Sequence, residues 1–423
     1  MKSLFDKRKL KYAASLNDES LTESTDPDFE LQYVDIGNVD SQGNIHELAV
    51  YPFKKAPSRA RRQVKHGDVI ISTVRTYLQA IAPIKEPEAN LIVSTGFAVV
   101  RPNSNILNDD YFKYAVRESR FLEEVEARSK GVSYPAINSS ELADIDISLP
   151  TIEIQKLIAD YLDRETTQID NLIAAKEQML TLLEEKREAL ISHAVTRGLD
   201  PNVSFKRSGL DWLGDIPQHW DVIRLKHLAK EALAYGANEA ALEDNPRYPR
   251  FIRITDIKDD GSLRPETFKS LSPEVAKPYL LSDGDVLLAR SGATVGKAFI
   301  YRKEWGTACF AGYLIRCRCN KELLIPSFLF YYTQSSCYWS QVYAGTIQAT
   351  IQNFSGEKYG DIFIPIPPLS EQKDILNFLD YETSKLDGLL GAIKESISLL
   401  KERRSALITA AVTGQITLEE MTS

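Results

Sequence analysis

A run of basic side chains near the start of the chain is the first candidate for a binding site. Residues 53–65 read FKKAPSRARRQVK, a stretch without an acidic residue that contains Lys54, Lys55, Arg59, Arg61, Arg62 and Lys65. Positive charge at this density is typical of contacts with phosphate groups. A solvated charged loop is the alternative, since most charge runs are solvated. We predict phosphate contacts and therefore a nucleic-acid partner.

Side chains suited to base edges follow a Gly-Asp strand that occurs twice, at 67–71 and 284–288. Arginine can bind guanine O6 and N7, and glutamine can bind adenine N6 and N7. A weaker basic cluster lies at 247–258, where aromatic residues are interleaved. These segments, with one glutamine further along, give the other candidate DNA-binding residues: Arg75, Tyr77, Gln79, Arg250, Arg253, Arg290, Ser291, Lys297 and Gln348.

The sequence segments that resemble a phosphate-binding loop or a metal site do not have the residue spacing that those sites require. The segment 292–298, GATVGKA, is one residue short between its glycines for a phosphate-binding loop and lacks the Ser/Thr that holds magnesium. The cysteines Cys309, Cys317, Cys319 and Cys337 form no CxxC pair, and all five histidines lie outside that stretch. We therefore predict buried free thiols, no metal site and no catalytic residue.

The elements that position these side chains occur twice. When residues 155–199 are aligned with 372–416 at an offset of 217, 20 of 45 pairs are identical. Each half has a β-rich segment followed by a long helical segment. Strands are predicted at 68–74, 90–100, 250–257, 285–289 and 312–317. Helices are predicted between them at 109–127 and 326–342. Each β-rich segment ends in a strand that contains proline, at 145–150 and 362–368.

Apolar residues in the two long helical segments follow a 4-3-4-3 spacing that indicates a heptad seam. Arg187 and Arg404 occupy polar positions in the seam, where they could specify register. Plain bundle core without a function is the alternative for the individual leucines. We predict two helices of about 40–45 residues, ending near Gly198 and Gly414, that pair antiparallel about a pseudo-twofold axis. The predicted helix-pairing residues are Ile169, Ile173, Leu180, Leu183, Leu190, Leu386, Leu390, Ile393, Ile397, Leu400 and Leu407.

The chain has 423 residues, enough for two or three compact units. Its net charge of −8 at pH 7 means that positive charge must be local if the protein binds nucleic acid. No run approaches 18 apolar residues, and residues 1–10 lack the apolar core of a signal peptide. We therefore expect a cytoplasmic protein.

Two longer motifs are more specific. Residues 208–220 read SGLDWLGDIPQHW, and residues 364–372 read IPIPPLSEQ. The first resembles the opening of a target-recognition domain in the specificity subunits of type I restriction-modification systems, and the second resembles the passage from such a domain into its conserved helix. The resemblance covers the whole chain and its duplication. The first half departs from it, because it lacks the tryptophan-rich string and has Thr151 and Ile154 at the junction.

The resemblance implies an α+β fold, with two target-recognition domains of mixed α/β structure separated by two long antiparallel coiled-coil helices. The predicted boundaries are 1–150 and 200–368 for the target-recognition domains, and 151–199 and 369–423 for the helical spacers. Each domain would recognise one half of a bipartite site in double-stranded DNA, and the helices would set the spacer between the halves.

The resemblance further implies that this chain is non-catalytic. Two methyltransferase (M) subunits would dock on the helices and methylate adenine N6, and restriction (R) subunits would join through them. S-adenosylmethionine, ATP and Mg would belong to those partners. The alternative is a free-standing bivalent DNA-binding regulator, which a neighbouring methyltransferase gene would argue against. A coiled-coil scaffold without DNA leaves the basic run unexplained.

Overall fold

The computed structural model describes residues 5–241, 244–258, 261–346 and 353–422. The chain divides into two compact units, which we call unit 1 (Met1–Glu177 with Lys394–Ser423) and unit 2 (Gln178–Ile393). This division falls within the two long helices, whereas the domain boundaries predicted at 150, 199 and 368 follow sequence motifs. Those boundaries therefore stay a prediction.

The described residues contain short strands, short helices and two long helices. The strands are β1 Lys7–Lys9, β2 Ala14–Leu16, β3 Glu30–Val34, β4 Ala49–Pro52, β5 Ala60–Gln63, β6 Val69–Ser72, β7 Ile81–Pro83, β8 Leu91–Ser94, β9 Phe97–Pro102, β10 Asp146–Ser148, β11 Phe205–Arg207, β12 Asp215–Pro217, β13 Asp221–Arg224, β14 Ala234–Tyr235, β15 Arg250–Ile252, β16 Val286–Ala289, β17 Ala298–Ile300, β18 Ala308–Phe310, β19 Leu314–Cys317 and β20 Phe363–Ile366. The helices are α1 Asp109–Ala115, α2 Ser119–Arg128, α3 Ser139–Ala143, α4 Ile152–Arg197, α5 Leu225–Leu228, α6 Pro273–Ala276, α7 Pro326–Tyr332, α8 Ser336–Thr346, α9 Gly356–Gly360, α10 Leu369–Val412 and α11 Leu418–Thr422.

The predicted α+β fold with an internal repeat is confirmed. A four-stranded antiparallel sheet has the order β2-β9-β6-β7 in unit 1 and β14-β19-β16-β17 in unit 2. Its central pairing has Val69 opposite Val100 in unit 1 and Val286 opposite Cys317 in unit 2, each 217 residues further on. The two sheets therefore have the same strand register as well as the same order.

The two long helices are confirmed. Helix α4 has 46 residues and α10 has 44, and they begin 217 residues apart. Glycines Gly198 and Gly414 follow their last turns with φ of 76° and 77°, a left-handed conformation that glycine adopts at low cost. The predicted helix-pairing residues are buried or half-buried throughout, as a heptad seam requires.

Three predicted elements are each divided in two. The stretch 109–127 is α1 and α2, because the side chain of Glu118 accepts a hydrogen bond from the Arg120 backbone and starts a second helix. The stretch 326–342 is α7 and α8, separated where the Ser335 hydroxyl bonds to the Tyr332 carbonyl. The predicted strand 90–100 is β8 and β9, because the chain turns at 95–96.

Each unit buries its own core between the sheet and the long helices. In unit 1 the core joins strand residues such as Val69 and Val100 to Ile158 of α4 and Ile408 of α10. In unit 2 the core joins Val286 and Ile315 of the sheet to Ile191 of α4 and Ile375 of α10. Both helices therefore contribute to both cores. Among the described residues, no helix is long and apolar enough to cross a membrane.

Candidate functional site

The basic run lies on a 3-10 turn and an edge strand of unit 1. Lys54 and Lys55 belong to the turn Phe53–Lys55, and Arg61 and Arg62 belong to β5, which pairs antiparallel with β8. The register shifts between Ala60 and Arg62, as in a β-bulge. Bulges re-aim side chains at a sheet edge.

Acidic residues from earlier in the chain approach part of this run. Lys54 Nζ lies 2.5 Å from Asp28 Oδ1, and Lys65 forms an ion pair with Glu19. Arg61 Nη2 lies 3.6 Å from Glu23 Oε1, and the Arg61 guanidinium carbon lies 4.7 Å from the centroid of the Phe53 ring. The absence of acids within the run thus does not mean that its charges are unpaired. Surface pairs of this kind contribute little to stability.

The remaining three residues of the run differ in accessibility. Arg62 is partly buried, and its Nε has no hydrogen-bond partner in the part of the chain that the structure describes. Burial lowers the pKa of Arg62. Lys55 and Arg59 are exposed and form no ion pair with another described residue. Lys55 and Arg59 are therefore the best-placed candidates for phosphate contacts among the predicted six.

The loop between β6 and β7 presents Arg75, Tyr77 and Gln79 at the surface. Arg75 and Gln79 have φ of 54° and 49°, a left-handed conformation that costs a non-glycine residue about 1 kcal/mol or more. Such strained positions cluster at binding sites because the surrounding structure must hold them.

One turn joins this loop to the basic run. Arg59 accepts a hydrogen bond from the Thr95 backbone through its carbonyl, and the Thr73 backbone donates to the Gly96 carbonyl. The two segments therefore meet at adjacent residues of the β8–β9 turn. The structure brings Arg59 and the Arg75 loop together as one candidate surface.

In unit 2 some predicted residues have structural partners. Arg253 forms a fork with both carboxylate oxygens of Asp256, at 2.7 and 3.0 Å, and donates to the Thr267 carbonyl. Arg250 donates to the Arg264 carbonyl at 2.6 Å, and burial lowers its pKa. Both arginines thus hold loops of unit 2 in place, and their direct DNA contact stays a prediction.

The other unit 2 candidates lie near the β16–β17 connection. Arg290 and Ser291 follow β16, and Lys297 is exposed just before β17. Gln348 lies outside the described residues. The segment 292–298 joins two antiparallel strands, so it does not open a helix as a phosphate-binding loop would.

A buried ion pair that sequence reasoning missed supports the candidate surface in each unit. Asp68 is fully buried and accepts two 2.8 Å hydrogen bonds from Arg101. The Asp68 carboxylate raises the pKa of the Arg101 guanidinium. Asp285 and Arg318, each 217 residues further on, form the same fork at 2.8 Å. The signal was available in the sequence, because both members of the pair recur at the offset of the repeat.

Each sheet is joined to its long helix by a repeated glutamine. Gln155 accepts from the Asn108 backbone and donates to the Pro150 carbonyl, and Gln372 makes the equivalent bonds with Ile325 and Pro367. Thr151 and Ile154 in the first half therefore leave the start of the helix unchanged. In unit 2 the motif tryptophan Trp220 is fully buried and donates to Glu371, which explains why the two longer motifs occur together.

Ion pairs connect the two helices within each unit. In unit 1, Arg404 donates to both oxygens of Asp170, at 2.9 and 3.2 Å. In unit 2, Arg187 donates to Asp387 at 3.0 Å, so the same pair recurs with the roles of the helices exchanged. Glu177 of α4 lies 3.5 Å from Lys401 of α10. Glu177 comes after Asp170 in α4, whereas Lys401 comes before Arg404 in α10. The two helices therefore run antiparallel.

The cysteines agree with the predicted buried thiols. Cys309, Cys317 and Cys319 are buried, Cys337 is half-buried, and all four are free. Burial raises the pKa of Cys309 to about 12, which keeps it a neutral thiol. Among the described residues, no three His, Cys, Asp or Glu side chains form a group that could hold a metal ion.

Comparison with known proteins gives the class. A family model described as the type I restriction modification DNA specificity domain matches residues 58–183 and 217–398. The chain belongs to this family. It is a specificity subunit of a type I restriction-modification system, and such subunits are the non-catalytic, DNA-binding component.

The individual relatives have low sequence identity to this chain, but the alignments cover most of each chain. The chain is 24% identical over 341 residues to the type I restriction enzyme MjaVIII specificity subunit of Methanocaldococcus jannaschii, covering 78% of this chain and 75% of that one. A solved chain from work on complex assembly and conformational transition of the type I R-M system has a TM-score of 0.76 at 22% identity, covering 98% of this chain and 100% of that one. The HsdS subunit from Thermoanaerobacter tengcongensis has a TM-score of 0.50 at 22% identity, covering 97% of each chain. The structural likeness confirms the fold.

Proposed function

We propose that each unit binds one half of an asymmetric bipartite site in double-stranded DNA. The repeated sheet, buried ion pair and glutamine junction give both units the same scaffold, while the exposed loop side chains differ between them. The sequence after Asp68-Val69 places Arg75, Tyr77 and Gln79 in one loop, whereas the matching positions of unit 2 are Gly292, Thr294 and Gly296. A common scaffold with different loops suits two different half-sites. This difference carries the proposal.

Phosphate contacts come from the basic side chains beside each loop. Lys55 and Arg59 are the phosphate contacts of unit 1, and Lys54, Arg61 and Lys65 join them by exchanging their surface ion pairs for phosphate. In unit 2, Lys297 has this role. The net negative charge of the chain confines DNA to these faces.

The helices α4 and α10 fix the distance between the half-sites and bind the methyltransferase subunits. Leu172 and Leu389, at equivalent positions of the repeat, are both 46% exposed, and Leu182 and Leu399 are both 57% exposed. Solvent-exposed leucines that recur in pairs indicate an interaction surface. Each unit carries one leucine of each pair, so the chain offers two equivalent docking surfaces.

Two methyltransferase subunits therefore bind one chain, and restriction subunits join through them. The partners supply S-adenosylmethionine for adenine N6 methylation, and ATP and Mg²⁺ for restriction. This chain supplies the sequence preference. Enzymes that modify a base extrude it from the stack, and the specificity subunit holds the duplex while its partner does so.

Assembly with the cognate methyltransferase tests this proposal. Light scattering should give the mass of one specificity subunit with two methyltransferases. Replacing Leu172 and Leu399 by lysine should remove one copy, and replacing Leu182 and Leu389 should remove the other. A parent complex that saturates with one methyltransferase would contradict the two-surface model, and specific operator binding without any methyltransferase partner would favour a free-standing regulator.

A further inference from the structure

An arginine lies over a tyrosine ring on the candidate surface of unit 1. The guanidinium carbon of Arg75 is 4.8 Å from the centroid of the Tyr134 ring, and both side chains are exposed. The Arg75 backbone donates to the Pro135 carbonyl at 2.8 Å, and the Ile137 backbone donates to the Thr73 carbonyl at 2.9 Å. Two backbone bonds therefore tie the arginine loop to the tyrosine loop.

Unit 2 contains a second arginine–tyrosine stack with the same distance between guanidinium carbon and ring centroid. The guanidinium carbon of Arg290 is 4.8 Å from the centroid of the Tyr235 ring. The Tyr235 hydroxyl accepts a 2.9 Å hydrogen bond from the Gly356 backbone, which fixes the ring. The Arg290 carbonyl accepts from the Phe354 backbone at 2.8 Å, so the arginine backbone is anchored as well.

The two stacks are not copies of each other through the repeat. At the offset of 217, Arg75 matches Gly292 and Arg290 matches Thr73. Tyr235 matches Asp18, so the ring also comes from a different element. The scaffold contacts recur at this offset, whereas the stacks arise separately at the same end of each sheet.

Arg75 and Arg290 also differ from the arginines that have a structural role. Arg253 and Arg101 are held by carboxylates, but no side-chain hydrogen bond or ion pair joins Arg75 or Arg290 to another described residue. Stacking on an aromatic ring orients the planar guanidinium and leaves its N–H donors available to a ligand. A guanidinium with fixed orientation matches the paired acceptors O6 and N7 of guanine in the major groove.

We propose that Arg75 and Arg290 each recognise one guanine, one in each half-site, with Tyr134 and Tyr235 as platforms. This inference rests on the proposed function, since it assigns one specificity-determining residue to each DNA-binding unit. Preorganisation by the tyrosines lowers the conformational entropy lost on binding.

The repeat itself supplies substitutions that suit the local backbone. Arg75→Gly introduces the residue found at the matching position of unit 2, and glycine accepts the φ of 54° without strain. Arg290→Thr introduces the residue found at the matching position of unit 1. Arg75→Lys keeps the charge but removes the bidentate donor set. Thermal unfolding of each variant complex checks that it folds.

Methylated sites are then mapped for each variant with the cognate methyltransferase. In Arg75→Gly and Arg75→Lys, discrimination at one guanine of one half-site should fall about 10- to 100-fold, with the other half-site unchanged. Arg290→Thr should affect one guanine of the opposite half-site. Tyr134→Leu should weaken the same guanine preference as Arg75→Gly.

Three results would overturn the inference while leaving the proposed function intact. They are unchanged guanine stringency, a uniform loss of methylation at all sites in folded Arg75 variants, and relaxation at a position that is not guanine. Failure of the unsubstituted complex to methylate a two-part site would instead contradict the proposed function.

Discussion

Lengthening both long helices together should lengthen the spacer in the DNA site. The insertion points are between Glu177 and Gln178 in α4 and between Ile393 and Lys394 in α10, where each helix passes from one unit to the other. An insertion at both points leaves the Asp170–Arg404 pair in unit 1 and the Arg187–Asp387 pair in unit 2 in register. Lengthening one helix alone shifts it against its partner.

The expected change in spacer length comes from helix geometry. Four residues add about 6 Å and rotate the rest of the helix by about 40°. DNA rises about 3.4 Å per base pair, so the spacer should grow by one or two base pairs. Seven residues preserve the heptad phase and add about 10.5 Å, which corresponds to about three base pairs. The sequences of both half-sites should stay the same.

The assay is mapping of methylated sites in cells that carry the variant and its methyltransferase. Thermal unfolding and complex mass show whether each variant has folded and assembled. The single-helix insertion is the control, and it should lower the unfolding midpoint because the ion pairs of at least one unit lose register. A folded, active, doubly lengthened variant with the original spacer would refute the ruler function.

Three further sets of substitutions test the surface and the scaffold. Asp68→Asn breaks a buried ion pair and should cost about 3 kcal/mol, which lowers the midpoint in differential scanning calorimetry by about 6–12 °C for a unit of this size. Replacing Lys55 and Arg59 by alanine removes two phosphate contacts, so the slope of log K against log salt should become shallower by about 1.8 in DNA-binding titrations. Arg187→Asp places two carboxylates together and should cost about 1 kcal/mol at this half-exposed position, while adding Asp387→Arg should restore the midpoint.

Each of these has a matched control. Asp285→Asn should reproduce the effect of Asp68→Asn, because the pair is repeated, and an unchanged midpoint in both would contradict the scaffold role. Lys54→Ala removes a charge already paired with Asp28 and should change the salt slope less than Lys55→Ala. If Lys54→Ala and Lys55→Ala change the slope equally, ion pairing within the protein does not determine which lysines contact phosphate. A double variant of Arg187 and Asp387 that is no more stable than Arg187→Asp would show that this pair does not set register.

Sequence patterns predicted the elements that depend on local periodicity and on the repeat. The heptad spacing and the glycines Gly198 and Gly414 predicted both long helices and their ends, because helix periodicity and caps are local signals. The Gly-Asp motif predicted β6 and β16. The division of 109–127 into two helices was missed, since it depends on the capping contact of Glu118, which the apolar pattern does not reveal.

The candidate site was only partly predictable, because its chemistry depends on distant partners. The composition of the basic run gave no sign that Asp28 and Glu19 would lie beside it. The sequence also did not indicate that Arg253 would form an ion pair with Asp256 while Arg290 lies over the Tyr235 ring. Residue type indicated which side chains could bind DNA, whereas tertiary packing determines which of them are available.

Mapping of adenine methylation for a chimeric chain tests the central claim most directly. Residues 1–150 are replaced by the corresponding segment of another specificity subunit, and the chimera is expressed with the methyltransferase. We predict a two-part site in which one half changes while the other half and the spacer remain those of the original chain. A change in both halves, or a single undivided site for the original chain, would contradict the account.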